Sequence, residues 1–390
     1  MEEIKELGKK YLKDIQAIRR HLHENPETAN EEVETQKYVM AQLDKLGIEY
    51  HKSMNTGIVG LIKGGKPGKT VLLRADMDAL DIEEDLDLEY KSKVPGKMHA
   101  CGHDGHTAGL LGAAMILNDI KDQLNGNVKL MFQPAEERFP GGAKGMIEEG
   151  ILENPKVDAV FGVHLWGDTP KGVVHYKEGP MMAAPDSFEI DITGRGGHGA
   201  MPQQTIDPVV VAAQIVLEMQ SIVSRKVDPL SPAVLSVTVS KSGEVFNVIP
   251  HTAYLAGTVR TFSENERSLI PKLMEDVLKG QELSNGITYD FKYTRVYPPL
   301  INDGAMTQLA KKAFGKIIGD ENVQELPKPN MGGEDFSYLT EKVPGAYLFV
   351  GIGEEGKVGI HHHPQFEWDD EVLEHSAAGL AQVCYDYLNQ

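Results

Sequence analysis

A histidine-rich segment with one cysteine is the part of the sequence best suited to bind a metal ion. Residues 98–106 read MHACGHDGH, in which Cys101 and His103 stand on either side of a glycine. Such a stretch can turn both side chains toward one ion, and zinc accepts thiolate and imidazole ligands. A helix predicted to begin near Asp104 would place its positive end by the sulfur and favour the thiolate. Taken alone, Cys-x-His more often marks a buried cysteine beside loop histidines.

Further carboxylates and imidazoles follow apolar runs that have the length of β-strands. These groups are RADMD at 74–78, QPAEE at 133–137, His164, and HHHP at 361–364. In an open parallel sheet, the loops after the carboxyl ends of the strands form the ligand crevice. The loops would therefore converge with Cys101 and His103, and the sequence predicts a metal site there.

Glu136 and Glu137 are adjacent and directly follow one of these predicted strands. Side chains of neighbouring residues in an extended stretch point in opposite directions. One carboxylate could then bind a metal ion while the other faces a metal-bound water as general base. A solvated acidic turn is the commoner interpretation of an isolated Glu-Glu pair.

Two common zinc motifs are absent from the sequence. It contains no Cys-x-x-Cys pair and no His-Glu-x-x-His motif, which argues against a zinc ribbon and a helix-borne zinc protease site. The glycine pair before His198 and the turn from Asn247 to Pro250 are weak signals, because each is more often a structural turn than a site.

The elements that must position these residues follow two patterns. Continuously apolar runs alternate with helical patterns in the first half of the chain, which predicts a mostly parallel sheet with helices on both faces. Between Phe188 and Tyr293 the order becomes β-α-β-β-α-β, a ferredoxin-like α+β arrangement. We therefore predict an α/β domain at residues 1–185 and 297–390, interrupted by a smaller domain at residues 186–296.

Composition narrows the classes of partner and compartment. Among the 390 residues, 39 are Lys or Arg and 58 are Asp or Glu, so the formal net charge is −19. This charge disfavours nucleic acid or an anionic membrane as the partner. The charged N-terminus lacks the apolar core of a signal peptide, and no apolar run reaches the ~20 residues of a bilayer span. Because Cys101 and Cys384 cannot build a disulfide framework, we expect a cytoplasmic protein.

Eight segments together resemble one known family. They are, in order, RADMDAL, MHACGHDGH, QPAEE, GVHLW, GGHGAMP, FNVIP, GGEDF and HHHPQF. The chain resembles the aminoacylase and carboxypeptidase family of dinuclear metallopeptidases, in particular its amidohydrolase branch. That branch includes hippurate hydrolase, auxin-conjugate hydrolase and N-acetyldiaminopimelate deacetylase. The resemblance spans essentially the whole chain and implies that the smaller domain is a lid and dimerisation domain.

The resemblance also implies a metal centre, residue by residue. It implies two divalent ions per subunit, with zinc as the first choice and manganese, cobalt or nickel as alternatives. Glu136 matches the catalytic base, and Asp78 matches the carboxylate that supports the ligands. The family's last ligand stands two residues before a proline, which selects the middle histidine of the triplet. The implied ligands, with the cysteine bridging, are Cys101, His103, Glu137, His164 and His362.

Three residues of the smaller domain match groups that act near the substrate. His198 matches the residue that reaches the scissile carbonyl from the partner subunit of a homodimer. Asn247 and Arg260 match groups near the substrate carboxylate. Asp81 departs from the branch, which usually has a proline after the Ala-Leu pair, and this leaves the shape of that loop open.

The implied reaction is hydrolysis of the amide bond of an N-acyl-L-amino acid, with an acetyl or aromatic acyl group, to a carboxylate and a free amino acid. A carboxypeptidase or dipeptidase is the nearest alternative, because the C-terminal residue of a peptide is itself an N-acylated amino acid. N-acetyldiaminopimelate deacetylase is a further alternative. A binding protein without activity is disfavoured, because it would have no use for a carboxylate such as Glu136 beside a metal-bound water.

Overall fold

The computed structural model describes residues 2–390, with Glu2 described by its backbone alone. None of the described helices is long and apolar enough to cross a membrane. The helices are α1 (Glu2–Glu24), α2 (Val33–Leu46), α3 (His103–Asp119), α4 (Gly142–Glu148), α5 (Pro208–Arg225), α6 (Glu264–Asn285), α7 (Gly304–Ile318), α8 (Ser337–Thr340) and α9 (Leu373–Leu388). The strands are β1 (Glu49–Ser53), β2 (Gly57–Lys63), β3 (Lys66–Asp76), β4 (Asn125–Gln133), β5 (Ala159–Pro170), β6 (Val174–Tyr176), β7 (Gly179–Met182), β8 (Ala184–Thr193), β9 (Gly197–His198), β10 (Ala233–Ser242), β11 (Val248–Ile249), β12 (Thr252–Thr261), β13 (Thr288–Thr294), β14 (Leu300–Asn302), β15 (Val323–Glu325) and β16 (Gly345–Gly353).

The chain forms two compact units. The smaller unit consists of Met182–Leu300 together with the short segment Pro329–Glu334, and the larger unit contains the described remainder of the chain. The short segment returns to the smaller unit because the backbone N–H of Ala183 hydrogen-bonds to the carbonyls of Asn330 and Gly332, both at 3.0 Å. Sequence patterns do not anticipate this return, because the segment has no periodicity of its own.

The larger unit is built on one eight-stranded mixed sheet. Its strand order is β1-β2-β4-β3-β5-β16-β6-β15. The pairs β4–β3, β3–β5, β5–β16 and β6–β15 are parallel, whereas β1–β2, β2–β4 and β16–β6 are antiparallel. The predicted α/β class with a mostly parallel sheet is therefore confirmed. The apolar run at 58–62 forms β2, which is antiparallel to both of its neighbours. Its continuous apolar pattern reflects burial on both faces of the sheet and does not reveal the direction of the neighbouring strands.

Helix α3 carries two histidines into the interior of the larger unit. All of its residues from His103 to Leu117 are buried, and it packs against α1, α9 and β3. A helix that is buried on every side belongs to the core, so its polar residues need partners there. Gly102 precedes the helix with φ 90°, a left-handed conformation that glycine adopts at little cost. This turn joins Cys101 directly to the start of the helix.

The smaller unit has the predicted ferredoxin-like topology. Its elements follow the order β8-α5-β10-β12-α6-β13, and the strands form an antiparallel sheet in the order β10-β12-β8-β13. The residues of β8 alternate between buried and less buried, as expected for a sheet with one covered face. Helices α5 and α6 contribute apolar residues to the core of this unit. The β-α-β-β-α-β prediction is thus confirmed.

Candidate metal centre

Two sets of candidate ligands meet in the larger unit and share one sulfur atom. In the first set, the ligand atoms of Cys101, His103 and His164 all lie within 4.8 Å of one another. In the second set, the same limit holds for Cys101, Glu137 and His362. The structure therefore brings together all five residues named as ligands from the sequence. The shared position of Cys101 suits a ligand that contacts two ions.

The two histidines of the first set each have one ring nitrogen occupied and one directed at the cluster. Nδ1 of His164 donates to the carbonyl of Leu165 at 2.7 Å, and Nε2 lies 3.6 Å from the sulfur of Cys101. Nδ1 of His103 donates to Oδ1 of Asp78 at 3.3 Å. A hydrogen bond of this kind orients the ring and directs Nε2 at the position of a metal ion, which would replace any proton on that nitrogen.

The second set takes one residue from the histidine triplet. Nε2 of His362 lies 3.0 Å from Oε1 of Glu137. The neighbouring histidines have other contacts, because Nε2 of His361 donates to the carbonyl of Leu165 at 2.9 Å and Nδ1 of His363 accepts from the backbone of Gln365 at 3.1 Å. The middle histidine is therefore the one that contacts the glutamate.

The two glutamates occupy a turn, so the prediction of an extended stretch with opposed side chains is wrong. Ala135 begins the turn with φ 54°, and its N–H donates to the buried carboxylate of Glu32 at 2.8 Å. The N–H groups of Glu136 and Glu137 donate to the two oxygens of Asp78, each at 3.0 Å. Both glutamate side chains consequently reach the same cluster. No sequence motif indicated a role for Glu32, because Ala135, which donates to its carboxylate, lies 103 positions further along the chain.

Burial and negative charge dominate the electrostatics of the cluster. Burial, with the carboxylates of Glu137, Glu136 and Asp76, raises the pKa of the Cys101 thiol well above its ordinary value. Helix α3 begins at His103, beside Cys101 as predicted, and burial together with these carboxylates opposes the thiolate that the helix end would favour. Burial would lower the pKa of His103, but the surrounding carboxylates outweigh it and raise that pKa to about 10. A cluster of this charge favours a bound cation.

The contacts of the larger unit also explain how the chain accommodates Asp81. The preceding residue, Leu80, exchanges backbone hydrogen bonds with Met98, both at 3.0 Å, and Ala79 donates to the carbonyl of Glu27 at 2.8 Å. The side chain of Asp81 is exposed. The loop is therefore anchored directly before Asp81, and the aspartate itself extends into solvent.

Comparison with known proteins identifies the family. Residues 72–386 match the sequence profile of peptidase family M20/M25/M40. The chain belongs to this family. The family predicted from the eight segments is thereby confirmed, and the M20 chain is a metal-dependent amidohydrolase.

Two relatives in the family are named for different activities. The N-acyl-L-amino acid amidohydrolase of Geobacillus stearothermophilus is 47% identical over 302 residues, which cover 77% of this chain and 81% of the relative. Thermostable carboxypeptidase 2 of Saccharolobus solfataricus is 43% identical over 379 residues, 96% of this chain and 95% of the relative.

A solved structure is similar over nearly the whole length. The YXEP protein of Bacillus subtilis, described as a dinuclear metal binding peptidase from the M20 family, is 36% identical with a TM-score of 0.86, covering 98% of this chain and 99% of that one.

The donor atoms of the cluster in this M20 chain fit a metal ion by their chemistry and their burial. Nε2 of His103 is buried and has no hydrogen-bond partner within the described residues. Its environment combines a thiol, imidazoles and carboxylates, a mixed donor set that suits zinc and other first-row divalent ions. An unpartnered buried nitrogen costs free energy, and an ion bound there would remove that cost.

The remaining predicted residues of the M20 chain lie in the smaller unit. His198 on β9 pairs with Val248 on β11, and the carbonyl of Asn247 accepts from the N–H of Gly199 at 2.9 Å. His198 and Asn247 are thus neighbours, and both are exposed. Arg260 on β12 donates from Nε to the carbonyl of Met331 at 3.2 Å, and partial burial lowers its pKa. The substrate-binding roles of these residues stay predictions.

Proposed function

We propose that the chain hydrolyses the amide bond of N-acyl-L-amino acids, with acetyl or aromatic acyl groups, at a centre that holds two divalent metal ions. The observation that carries this proposal is the sulfur of Cys101, which belongs to two ligand sets at once. The relative named N-acyl-L-amino acid amidohydrolase supports the substrate class.

Five residues of the larger unit would hold the ions, namely Cys101, His103, Glu137, His164 and His362. When bound, two such ions lower the pKa of a coordinated water and polarise the carbonyl of the substrate. We expect zinc, with manganese, cobalt or nickel as alternatives, because mixed sulfur, nitrogen and oxygen donors suit each of these metals.

Glu136 is the group that we assign to proton transfer. Its carboxylate lies within 4.8 Å of the ligand atoms of His103 and Glu137, and it is 7% exposed. Glu137 groups with Cys101 and His362, whereas Glu136 is absent from that set. This difference supports Glu137 as ligand and Glu136 as base. Glu136 would take the proton of the attacking water on a carboxylate oxygen and pass it to the leaving nitrogen.

Asp78 would maintain the geometry that this proton transfer requires. Its carboxylate accepts hydrogen bonds from the backbone of both glutamates and from Nδ1 of His103. One side chain thus connects the base with two ligands. Because a misplaced catalytic group can cost about 10²-fold in rate, such a fixed support is of direct use.

We assign the binding of the substrate's far end to the smaller unit. Arg260 would pair with the free carboxylate, for which a planar guanidinium is well shaped. Asn247 would donate a hydrogen bond to the same group. His198 would stabilise the negative oxygen that develops on the scissile carbonyl, an interaction worth about 3–4 kcal/mol per donor.

We further propose that the smaller unit joins two copies of the chain and that His198 acts on the site of the partner. Strand β10 lies at an edge of its sheet, and most of its residues are not buried. The same unit exposes Val210, Leu217 and Phe246, and Phe246 is fully exposed. An exposed edge strand and exposed apolar side chains favour a contact with a second copy.

We also place the protein in the cytoplasm. The charge of −19 opposes nucleic acid and anionic membrane as partners. Both Cys101 and Cys384 are buried as free thiols, which suits a reducing compartment.

A carboxypeptidase or dipeptidase activity is the second candidate, and the relative named thermostable carboxypeptidase 2 favours it. A substrate panel separates the two candidates. After chelation, the enzyme is reconstituted with Zn²⁺, Mn²⁺, Co²⁺ or Ni²⁺ and supplied with N-acetyl and N-benzoyl amino acids, N-acetyldiaminopimelate, and short peptides. We expect chelation to abolish activity and the acyl amino acids to be cleaved faster than the peptides.

Two outcomes of this panel would contradict the proposal. Full activity in a metal-free preparation would contradict the metal centre. Faster cleavage of peptides with free amino termini would assign the chain to the peptidases instead. Glu136→Gln is the control for contaminating hydrolases, because it removes the proposed base and keeps the proposed ligands.

A further inference from the structure

The buried imidazole of His106 makes one hydrogen bond on each nitrogen. Nδ1 lies 2.6 Å from Oδ1 of Asp76, and Nε2 accepts from the backbone N–H of Leu165 at 2.9 Å. A carboxylate accepts and an N–H donates, so Nδ1 carries the proton and Nε2 is the acceptor. The other oxygen of Asp76 is bound by Arg74 at 2.7 Å. These contacts fix the tautomer and the orientation of His106.

His106 takes the place of a neighbouring strand at this point of β5. Strand β3 pairs with β5 only as far as Arg74 and Gly162, so the N–H of Leu165 lies beyond the paired stretch. This N–H belongs to the peptide group that joins His164 to Leu165. The hydrogen bond to His106 therefore holds the backbone of His164 itself.

The carbonyl of Leu165 is hydrogen-bonded to one candidate ligand and to the neighbour of another. It accepts from Nδ1 of His164 at 2.7 Å and from Nε2 of His361 at 2.9 Å. His164 belongs to the first set, and His361 immediately precedes His362 of the second set. The backbone of Leu165 thus connects His164, a member of the first set, with His361, the residue next to His362 of the second set.

We propose that His106 is a positioning residue which, through the backbone of Leu165, holds His164 and His362 in place for metal binding. This inference rests on the proposed two-metal centre. His106 does not belong to either ligand set that contains Cys101. Loss of its bond to Leu165 would leave the peptide group between His164 and Leu165 held by β16 on one side only. Both histidine ligands would then lose the orientation that their lone pairs need.

The test measures metal affinity in the absence of turnover. The metal-free protein is titrated with Co²⁺ against a chromophoric chelator, which yields a dissociation constant for each ion, and the cobalt–thiolate absorption reports on Cys101. In His106→Asn, the side-chain amide still reaches Asp76 but is too short for Leu165. In His106→Gln, the amide oxygen can replace Nε2 and keep the bond to Leu165.

We expect His106→Asn to weaken the binding of both ions by about 10–100-fold, the usual effect of losing a residue that orients metal ligands. His106→Gln should bind cobalt nearly as tightly as the wild type. His361→Asn should weaken chiefly the ion held by His362, because His361 immediately precedes His362 and meets His164 through a ring contact, with centroids 5.2 Å apart. His99→Asn is the matched control, since His99 is equally buried and neither of its nitrogens has a hydrogen-bond partner within residues 2–390.

Several results would overturn the inference. Unchanged dissociation constants in a folded His106→Asn protein would do so, and so would an equal loss in the His99→Asn control. If His106→Asn does not fold, unchanged affinity in His361→Asn would count against the inference in the same way. A wild-type protein that binds no cobalt would contradict the two-metal centre itself, which is a different failure and removes the role of His106 with it.

Discussion

At the scale of single residues, the two adjacent glutamates have the same support and different neighbours. Both backbone N–H groups are held by Asp78, each at 3.0 Å. Oε1 of Glu137 lies 3.0 Å from Nε2 of His362, whereas the carboxylate of Glu136 groups with His103 and Glu137. A turn held so firmly allows neighbouring carboxylates to have separate roles.

Substitution of each glutamate by glutamine tests this separation. Glu136→Gln should retain two metal ions and lose about 10²–10⁴-fold in kcat, because a placed base contributes that much to proton transfer. Glu137→Gln should lose metal as well as rate, because a neutral amide is a poorer ligand than a carboxylate. Metal content after dialysis, measured beside kcat, distinguishes the two. The reverse pattern would require the roles to be exchanged.

At the scale of secondary-structure elements, one buried carboxylate connects three parts of the smaller unit. Asp186 on β8 is fully buried and accepts two hydrogen bonds from Arg267 of α6, each at 2.9 Å. It also accepts from Tyr293 of β13 at 3.2 Å and from the backbone of Val296 at 2.9 Å. The ion pair therefore joins a helix to two strands of the same sheet.

Loss of one member of this pair should destabilise the smaller unit. Arg267→Met leaves the carboxylate of Asp186 buried without its cation, which costs about 3–5 kcal/mol. The double variant with Asp186→Asn should recover part of that loss, because no unpaired charge remains. Chemical denaturation of the metal-loaded protein, followed by circular dichroism, measures the difference.

The exposed pair between Lys292 and Glu189 is the control for this experiment. Its atoms lie 3.4 Å apart, and its side chains are 70% and 49% exposed. Glu189→Gln should change stability by at most about 1 kcal/mol, as is usual for surface pairs. Equal effects at the two sites would contradict a special role for the buried pair.

At the scale of the whole molecule, the residues of the proposed site are divided between the two compact units. The larger unit contains both ligand sets and the proposed base. The smaller unit contains His198, Asn247 and Arg260. Under our proposal, His198 acts on the partner chain, so dimerisation becomes part of catalysis. Closed two-fold dimers are the commonest oligomers, which agrees with this arrangement.

Mixing two inactive variants tests whether His198 acts on the partner. His198→Ala protomers are combined with Glu136→Gln protomers under conditions that permit subunit exchange. If His198 acts across the dimer, one site of each heterodimer carries both substitutions and the other carries neither. Activity should then rise toward half of the wild-type value per heterodimer. Absence of recovery, with exchange verified by differently tagged subunits, would show that His198 serves its own chain or no site.

The sequence by itself was sufficient for the fold class and the family. Apolar runs and helical periodicity are local, so strands such as β4 and helices such as α5 were predictable to within a few residues. Helix α9 was not among the predicted elements, although 12 of its 16 residues are buried. The eight segments named the family, since each motif keeps its spacing within a short stretch of chain.

Tertiary structure decided how the candidate ligands are held. The turn of Glu136 and Glu137 depends on Glu32, and the orientation of His164 depends on His106, which lies 59 positions before its partner Leu165. The state of the Cys101 thiol depends on burial and on three carboxylates from two separate segments of the chain. Such contacts arise from the packing of strands and helices that are distant along the chain. A pattern read within one segment contains no information about them. This is why the motifs could name the candidate ligands and Asp78, whereas the contacts of Glu32 and His106 appear only in the folded chain.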